Sequence, residues 1–270
     1  MKSPAILYGT AWKKLRTQEL VSQALAQGFR GIDTACQPKH YNEGGVGAAL
    51  AAVELTGLSR ADLYLQTKFT PLDGQDPRQV PYDPAAPLAD QVAQSLGVSL
   101  HNLRTTYLDC LLLHSPLRHP HETQEAWRAM ETATASGIVK QLGISNCYSL
   151  ELLADLHRWA QVKPAVVQNR FYADTGYDAG IRAFCREHGV IYQSFWTLTA
   201  NTHVLEDELT VNLAAKYGRT SAQILLRYAT QIDIVPLVGT TSRIHMQEDL
   251  GIFDFSLTDA EHDSMSALIQ

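Results

Sequence analysis

Eight short apolar or β-branched runs, each followed by a stretch with helical spacing, constrain this chain more than any other feature. The runs lie at 5–9 (AILYG), 31–35 (GIDTA), 63–69 (LYLQTKF), 107–114 (YLDCLLLH), 141–145 (QLGIS), 165–169 (AVVQN), 190–196 (VIYQSFW) and 234–238 (IVPLV). Periodicity predicts helices near 18–27, 45–55, 88–100, 123–136, 150–161, 180–188 and 221–230, then two more near 243–250 and 258–269. Strands alternating with helices imply a parallel sheet with right-handed crossovers. Run 107–114 is almost continuously apolar, as a strand covered on both faces must be. Eight such units in 270 residues predict an α/β fold, the closed (β/α)8 TIM barrel, rather than an open doubly wound sheet. No linker divides the chain, and the proline cluster at 71–87 falls between one strand and its helix, so one domain over 1–270 is expected.

Composition narrows the class. With 45% apolar and 19% charged residues the chain is globular, and its length buries a core without a metal or disulfide. Its 28 acidic against 22 basic residues argue against broad binding to nucleic acid or an anionic membrane. Residues 1–6 lack a leader pattern, and no run of about 18 apolar residues occurs. Cys36, Cys110, Cys147 and Cys185 form no CxxC pair, so reduced, packed thiols in a cytoplasmic protein are expected. The glycines Gly44, Gly45 and Gly47 lack the GxGxxG spacing and follow the second run, so they read as a helix entry.

In a barrel the chemistry sits at the C-terminal strand ends. Asp33, Lys68 and His114 occupy those ends in the second, third and fourth runs. Singly, Asp33 reads as a cap, Lys68 as a snorkelling side chain and His114 as a core histidine. Together they put an acid, a base and an imidazole at one mouth. A carboxylate beside an ammonium compensates both charges, and the cation then lowers the pKa of a phenol nearby. Tyr41, in the loop after the second run, is that phenol.

The chain resembles the aldo-keto reductase family through GFRGIDTA (28–35), YNEGGVGAAL (41–50), LQTKF (65–69), LDCLLLHSP (108–116), GISN (143–146), KPAVVQN (163–169) and FDFSLT (253–258), in order along its length. The resemblance implies a soluble enzyme that interconverts an aldehyde or ketone and an alcohol by hydride transfer from a nicotinamide cofactor. It implies a catalytic tetrad of Asp33, Tyr41, Lys68 and His114, with Tyr41 as proton donor. Ser145, Asn146 and Gln168 match residues that hold the carboxamide. Phe195, or its neighbour Trp196, matches the ring that stacks on the nicotinamide. Thr10, Asp33, Gly239, Thr240, Thr241 and Arg243 complete the implied cofactor set. The implied cofactor is NADPH, with NADH not excluded, and the partner is a small carbonyl or alcohol bound by a monomer or weak homodimer.

Three departures qualify the match. The family pattern DTAxxYxNE puts tyrosine where this chain has Pro38, and Tyr41 stands eight residues after Asp33 in a loop two residues longer. His40 is a second acid–base candidate there, or a solvated loop histidine. Leu237 and Val238 replace the usual Lys-Ser, leaving the hydroxyl-rich turn 239–243 and Arg243 as the phosphate cradle. The sequence ends soon after its last predicted helix, which predicts an open substrate mouth. The lengthened tyrosine loop supports one alternative, a catalytically weak nicotinamide-binding barrel acting as a regulatory or assembly subunit. His119 and His121 lack a third ligand for a metal site.

Overall fold

The computed structural model describes residues 3–54 and 57–269. In chain order these form β1 (Leu7–Gly9), α1 (Thr17–Gln27), β2 (Gly31–Asp33), α2 (Glu43–Glu54), β3 (Tyr64–Phe69), α3 (Leu88–Leu103), β4 (Cys110–Leu113), α4 (Pro120–Ala135), β5 (Leu142–Ser145) and α5 (Leu150–Trp159). They continue with β6 (Val166–Arg170), α6 (Ala179–His188), β7 (Ile191–Phe195), α7 (Thr202–Glu206), α8 (Glu208–Tyr217), α9 (Ser221–Gln231), β8 (Ile234–Val238), α10 (Arg243–Leu250) and α11 (Asp259–Leu268). Each strand pairs in parallel with the next, and β8 returns to β1 through Leu7↔Leu237 and Tyr8↔Val238. The expected eight-stranded parallel barrel is the observed one.

The strand alternation sorts side chains into two environments. Along β3, Leu65 and Phe69 join the large core beneath the helices, whereas Tyr64, Gln66 and Lys68 face the barrel interior. That interior is layered. Leu7, Tyr64, Cys110, Leu112 and Val166 pack an apolar layer. Asp33, Gln66, Lys68, Gln168 and Gln193 form a polar layer joined by mutual hydrogen bonds. Such a layer is stable only because its members satisfy one another.

Local departures from the sequence expectation have local causes. Run 107–114 yields only Cys110–Leu113 as strand. The Asp109 carboxylate accepts from the backbone N–H of Leu65 at 3.0 Å and pairs with Arg60 and Lys140, so side-chain bonds replace part of the ladder. The stretch after β7 holds three helices rather than one. Helix α2 starts at Glu43, two residues before the predicted start, with Asn42 Oδ1 accepting from the Gly45 N–H at 3.0 Å. The glycine run therefore lies inside the helix. A Cβ on Gly47 would meet the Asn102 carbonyl at 2.1 Å, so glycine there reflects close approach of α2 to α3. The predicted helix end at Leu55 lies outside the described residues.

Candidate active site

Asp33 ends β2 and Lys68 stands near the end of β3, both almost completely buried. The Lys68 ammonium donates to both Asp33 oxygens, at 2.7 and 2.6 Å, and to the Thr34 carbonyl at 2.8 Å. Asp33 Oδ1 also accepts from the amides of Gln66 and Gln168, at 2.7 and 2.9 Å. Burial lowers the Lys68 pKa, and the Asp33 charge opposes that shift. Two buried charges are tolerated here because they pair with each other, with three acceptor contacts on the Lys68 ammonium and two amide donors on Asp33 Oδ1.

Tyr41 and His114 sit above this pair. The Lys68 Nζ lies 5.3 Å from the centroid of the Tyr41 ring, and the His114 ring meets it edge-on at 6.1 Å. The lengthened loop thus delivers Tyr41 to the acid–base cluster. Among the described residues its hydroxyl has no hydrogen-bond partner. Desolvation, and then the Asp33 charge, raise the phenol well above its ordinary range. This reverses the direction expected from a neighbouring lysine: Asp33 already neutralises the Lys68 charge, so burial dominates. A neutral phenol at physiological pH is the form that can give a proton. His114 Nδ1 pairs with the Thr70 hydroxyl at 2.6 Å, leaving Nε2 for the cavity. Burial and the Lys68 charge hold the imidazole well below its usual pKa, hence neutral.

His40, one residue earlier, stacks on Trp12 at 3.8 Å, while the Trp12 N–H donates to the His40 carbonyl at 2.7 Å. It buttresses a wall of the cavity and is not among its lining residues. His119 and His121 stack on each other at the exposed start of α4, away from that cavity.

The cavity has a volume of about 700 Å³, in the range of small-molecule and cofactor sites. Asp33, Tyr41, His114, Ser145, Asn146, Gln168, Phe195, Trp196, Gly239 and Thr240 line it. Ser145 Oγ donates to the Gln168 carbonyl at 2.7 Å, and the Asn146 amide donates to the His114 carbonyl at 2.9 Å. Trp12, Asn146 and Trp196 hold left-handed backbone, with φ of 64°, 52° and 58°. Such strain costs roughly 1–3 kcal/mol each and persists where the fold over-determines a functional loop. The Arg170 guanidinium covers the Trp196 ring 4.1 Å from its centroid.

Three expected cofactor residues are placed differently. Thr10 is fully buried, its hydroxyl donating to the Asp33 carbonyl at 2.9 Å, so it braces the end of β2 from behind. Thr241 and Arg243 are exposed and do not line the cavity. Helix phase explains Arg243. Residues advance about 100° each, so His245 lies about 200° around α10 from Arg243 and shares its face with Glu248 and Asp249. His245, Glu248 and Asp249 line the cavity in its place. Lys13 also lines it, its ammonium donating to the Gly239 carbonyl. The sequence signal for Lys13 was a lysine just past the first strand, in a loop whose direction only the fold reveals.

Asp249 is 5% exposed and, among the described residues, no donor faces its carboxylate. Burial and the neighbouring Glu248 push its pKa up to about 7. An unfolded aspartate titrates near pH ~4, so the native state retains a proton that the unfolded state has lost, and stability falls as pH rises from ~4 to ~7. Asp249→Asn is therefore expected to raise unfolding stability at about pH 8 by roughly 2–4 kcal/mol, a gain that vanishes toward about pH 4. Urea unfolding of both proteins across that range checks it; an equal gap at both ends would contradict it.

The closed parallel barrel carries an acid–base cluster and a cavity at its strand ends, with room for a bound cofactor. The profile of the Aldo/keto reductase family matches residues 7–270, and the chain belongs to that family. An uncharacterized oxidoreductase of Bacillus subtilis, YtbE, is 30% identical over 92% of this chain and 82% of its own. A NAD/NADP-dependent indole-3-acetaldehyde reductase of Schizosaccharomyces pombe is 30% identical over 98% of this chain and 90% of its own. The crystal structure of an aldo/keto reductase from Brucella melitensis superposes with a TM-score of 0.81 at 28% identity, covering 98% of this chain and 95% of the other. The chain is accordingly an NAD(P)H-dependent oxidoreductase of carbonyl compounds. Nothing in these likenesses supports the regulatory-subunit alternative.

Proposed function

We propose that Tyr41 is the proton donor for reduction of an aldehyde or ketone, with Lys68, Asp33 and His114 completing the acid–base set. The observation that carries this is the unpartnered Tyr41 hydroxyl beside both Lys68 and His114. As the carbonyl oxygen gains charge, Tyr41 gives it a proton. Lys68, fixed by Asp33, then lies close enough to stabilise the tyrosinate. With Thr70 donating to Nδ1, His114 offers Nε2–H to the same oxygen and orients it.

The lining residues fit a nicotinamide dinucleotide. Polar groups of Ser145, Asn146 and Gln168 are grouped on one wall for an amide, and Phe195 and Trp196 offer ring faces. Gly239 and Thr240, with the Lys13 ammonium, suit a pyrophosphate. When bound, the cofactor supplies the hydride. NADPH is the form expected from the turn 239–243, and NADH is admitted; with Arg243 off the cavity, the choice falls to residues of α10.

Trp12 and Trp196, 60% and 52% exposed, give the mouth apolar walls suited to an aldehyde with a planar apolar body. Four buried free cysteines, and no described helix long and apolar enough to cross a membrane, fit a cytoplasmic enzyme working as a monomer or weak dimer. The test is oxidation of reduced cofactor across a panel of aldehydes and ketones. Oxidation that depends on the carbonyl is expected. Cofactor binding with no turnover on any of them would return the weight to a regulatory role.

A further inference from the structure

Strand β6 turns its side chains alternately. Gln168 lines the cavity, Asn169 points away to donate to Asp178 at 2.7 Å, and Arg170 returns to the side of Gln168. At about 3.3 Å per residue, Arg170 stands one layer nearer the mouth. It pairs in register with Phe195, and its guanidinium lies 4.1 Å from the Trp196 ring centroid and 5.0 Å from that of Tyr172. Phe195 and Trp196 line the cavity, so Arg170 sits at its rim.

Two rings hold this cation, and nothing in the described chain pairs with it. Its guanidinium donates no hydrogen bond and makes no ion pair among the described residues, and its Nε is buried without an acceptor. Asp178 is already taken by Asn169 and Tyr192. Arg60 shows what a structural arginine does instead. It lies over the Tyr107 ring at the same 4.1 Å, but its guanidinium pairs with Asp109 and donates to the carbonyls of Leu63 and Tyr107. An arginine carries five N–H donors, and leaving a buried donor unmet costs free energy that an acceptor on a ligand recovers.

We propose that Arg170 binds a carboxylate on the substrate, so that this enzyme prefers a carbonyl compound bearing one negative charge beyond its apolar body. The inference rests on the carbonyl-reductase reading of the mouth and names the substrate class for it. The planar guanidinium matches a carboxylate bidentately, and a ring against its face leaves the N–H edge free for that pair. A single guanidinium balances the one charge of a carboxylate rather than the two of a phosphate ester. With the carbonyl at Tyr41 and the apolar body against Trp196, the carboxylate falls at the rim where Arg170 stands.

Matched substrates test this. Meta- and para-carboxybenzaldehyde are compared with the corresponding carbamoyl compounds, which keep the shape and lose the charge. The wild type is expected to favour at least one carboxylate over its amide by about tenfold or more in kcat/KM, mainly through KM, the scale of a charge-assisted pair. Added salt should shrink that ratio. Neither reading needs a variant to fold. Arg170→Gln should bring the ratio near one, with the loss falling on the carboxylate substrate, and Arg170→Lys should keep part of it. Equal or better use of both amides by the wild type overturns the proposal. So does a carboxylate preference that survives in Arg170→Gln, or a loss in that variant shared equally by both members of a pair, which is the result a structural arginine gives. Cofactor oxidation on none of these aldehydes defeats the reductase reading itself, a result separate from a wrong preference.

Discussion

Replacing Tyr41 by phenylalanine should lower kcat for carbonyl reduction by about 10²–10⁴-fold while leaving cofactor affinity within a few-fold of the wild type. The ring stays, at 70° to the plane of the His114 ring and with its face toward Lys68, so the cavity keeps its shape. What goes is the hydroxyl beside Lys68 and His114, which among the described residues has no partner and can give a proton to the substrate oxygen. His40→Ala should not share this loss, because His40 stacks behind Trp12 and does not line the cavity. Steady-state kinetics on the two variants separate the candidates of the lengthened loop. A Tyr41→Phe enzyme near the wild-type rate, with His40→Ala inactive, would move the proton donor to the histidine.

The second large effect concerns the buried pair. Lys68→Met leaves the Asp33 carboxylate with amide donors from Gln66 and Gln168 but without its counter-charge, at a position 2% exposed. Breaking one side of such a pair typically costs about 3–5 kcal/mol, whereas replacing both partners is often close to neutral. Urea unfolding should therefore show Lys68→Met strongly destabilised, and Asp33→Asn with Lys68→Met substantially recovered. Activity should stay lost in both, because the double variant restores packing without a cation beside the tyrosinate. A single Lys68→Met variant as stable as the wild type would show that the amides alone compensate Asp33.

Much of this was legible in the sequence, and for physical reasons. Short apolar runs, each followed by a period-3.6 stretch, leave few architectures, and the closed barrel is the one observed. Asp33, Lys68 and His114 were visible as titratable groups at strand ends, where burial demands partners. The pairing of Lys68 with Asp33 follows from that demand and is present at 2.6 Å. Tyr41 was harder to place, because a loop with two extra residues has no fixed register, and only the fold brings its ring over Lys68.

The far end of the cavity was the least legible part. Arg243 is the residue that composition recommends for a phosphate, but its place on α10 differs from that of His245 by about 200° of helix rotation. Nothing in the local sequence says which face of α10 meets the barrel. The three residues that do line the cavity, His245, Glu248 and Asp249, follow the i, i+3, i+4 pattern of one face. The direction of the Tyr41 shift was missed for a related reason. Sequence gives the sign of a neighbouring charge without showing that another neighbour has cancelled it.

The most direct test of the central claim follows the hydride. The enzyme is supplied with reduced nicotinamide cofactor carrying deuterium at both C4 positions and an aldehyde substrate, and the alcohol is analysed by mass spectrometry. The assignment predicts an alcohol carrying deuterium on the former carbonyl carbon from the wild type, formed far more slowly by Tyr41→Phe. Alcohol without the label, or labelled alcohol formed at the same rate by Tyr41→Phe, would contradict it.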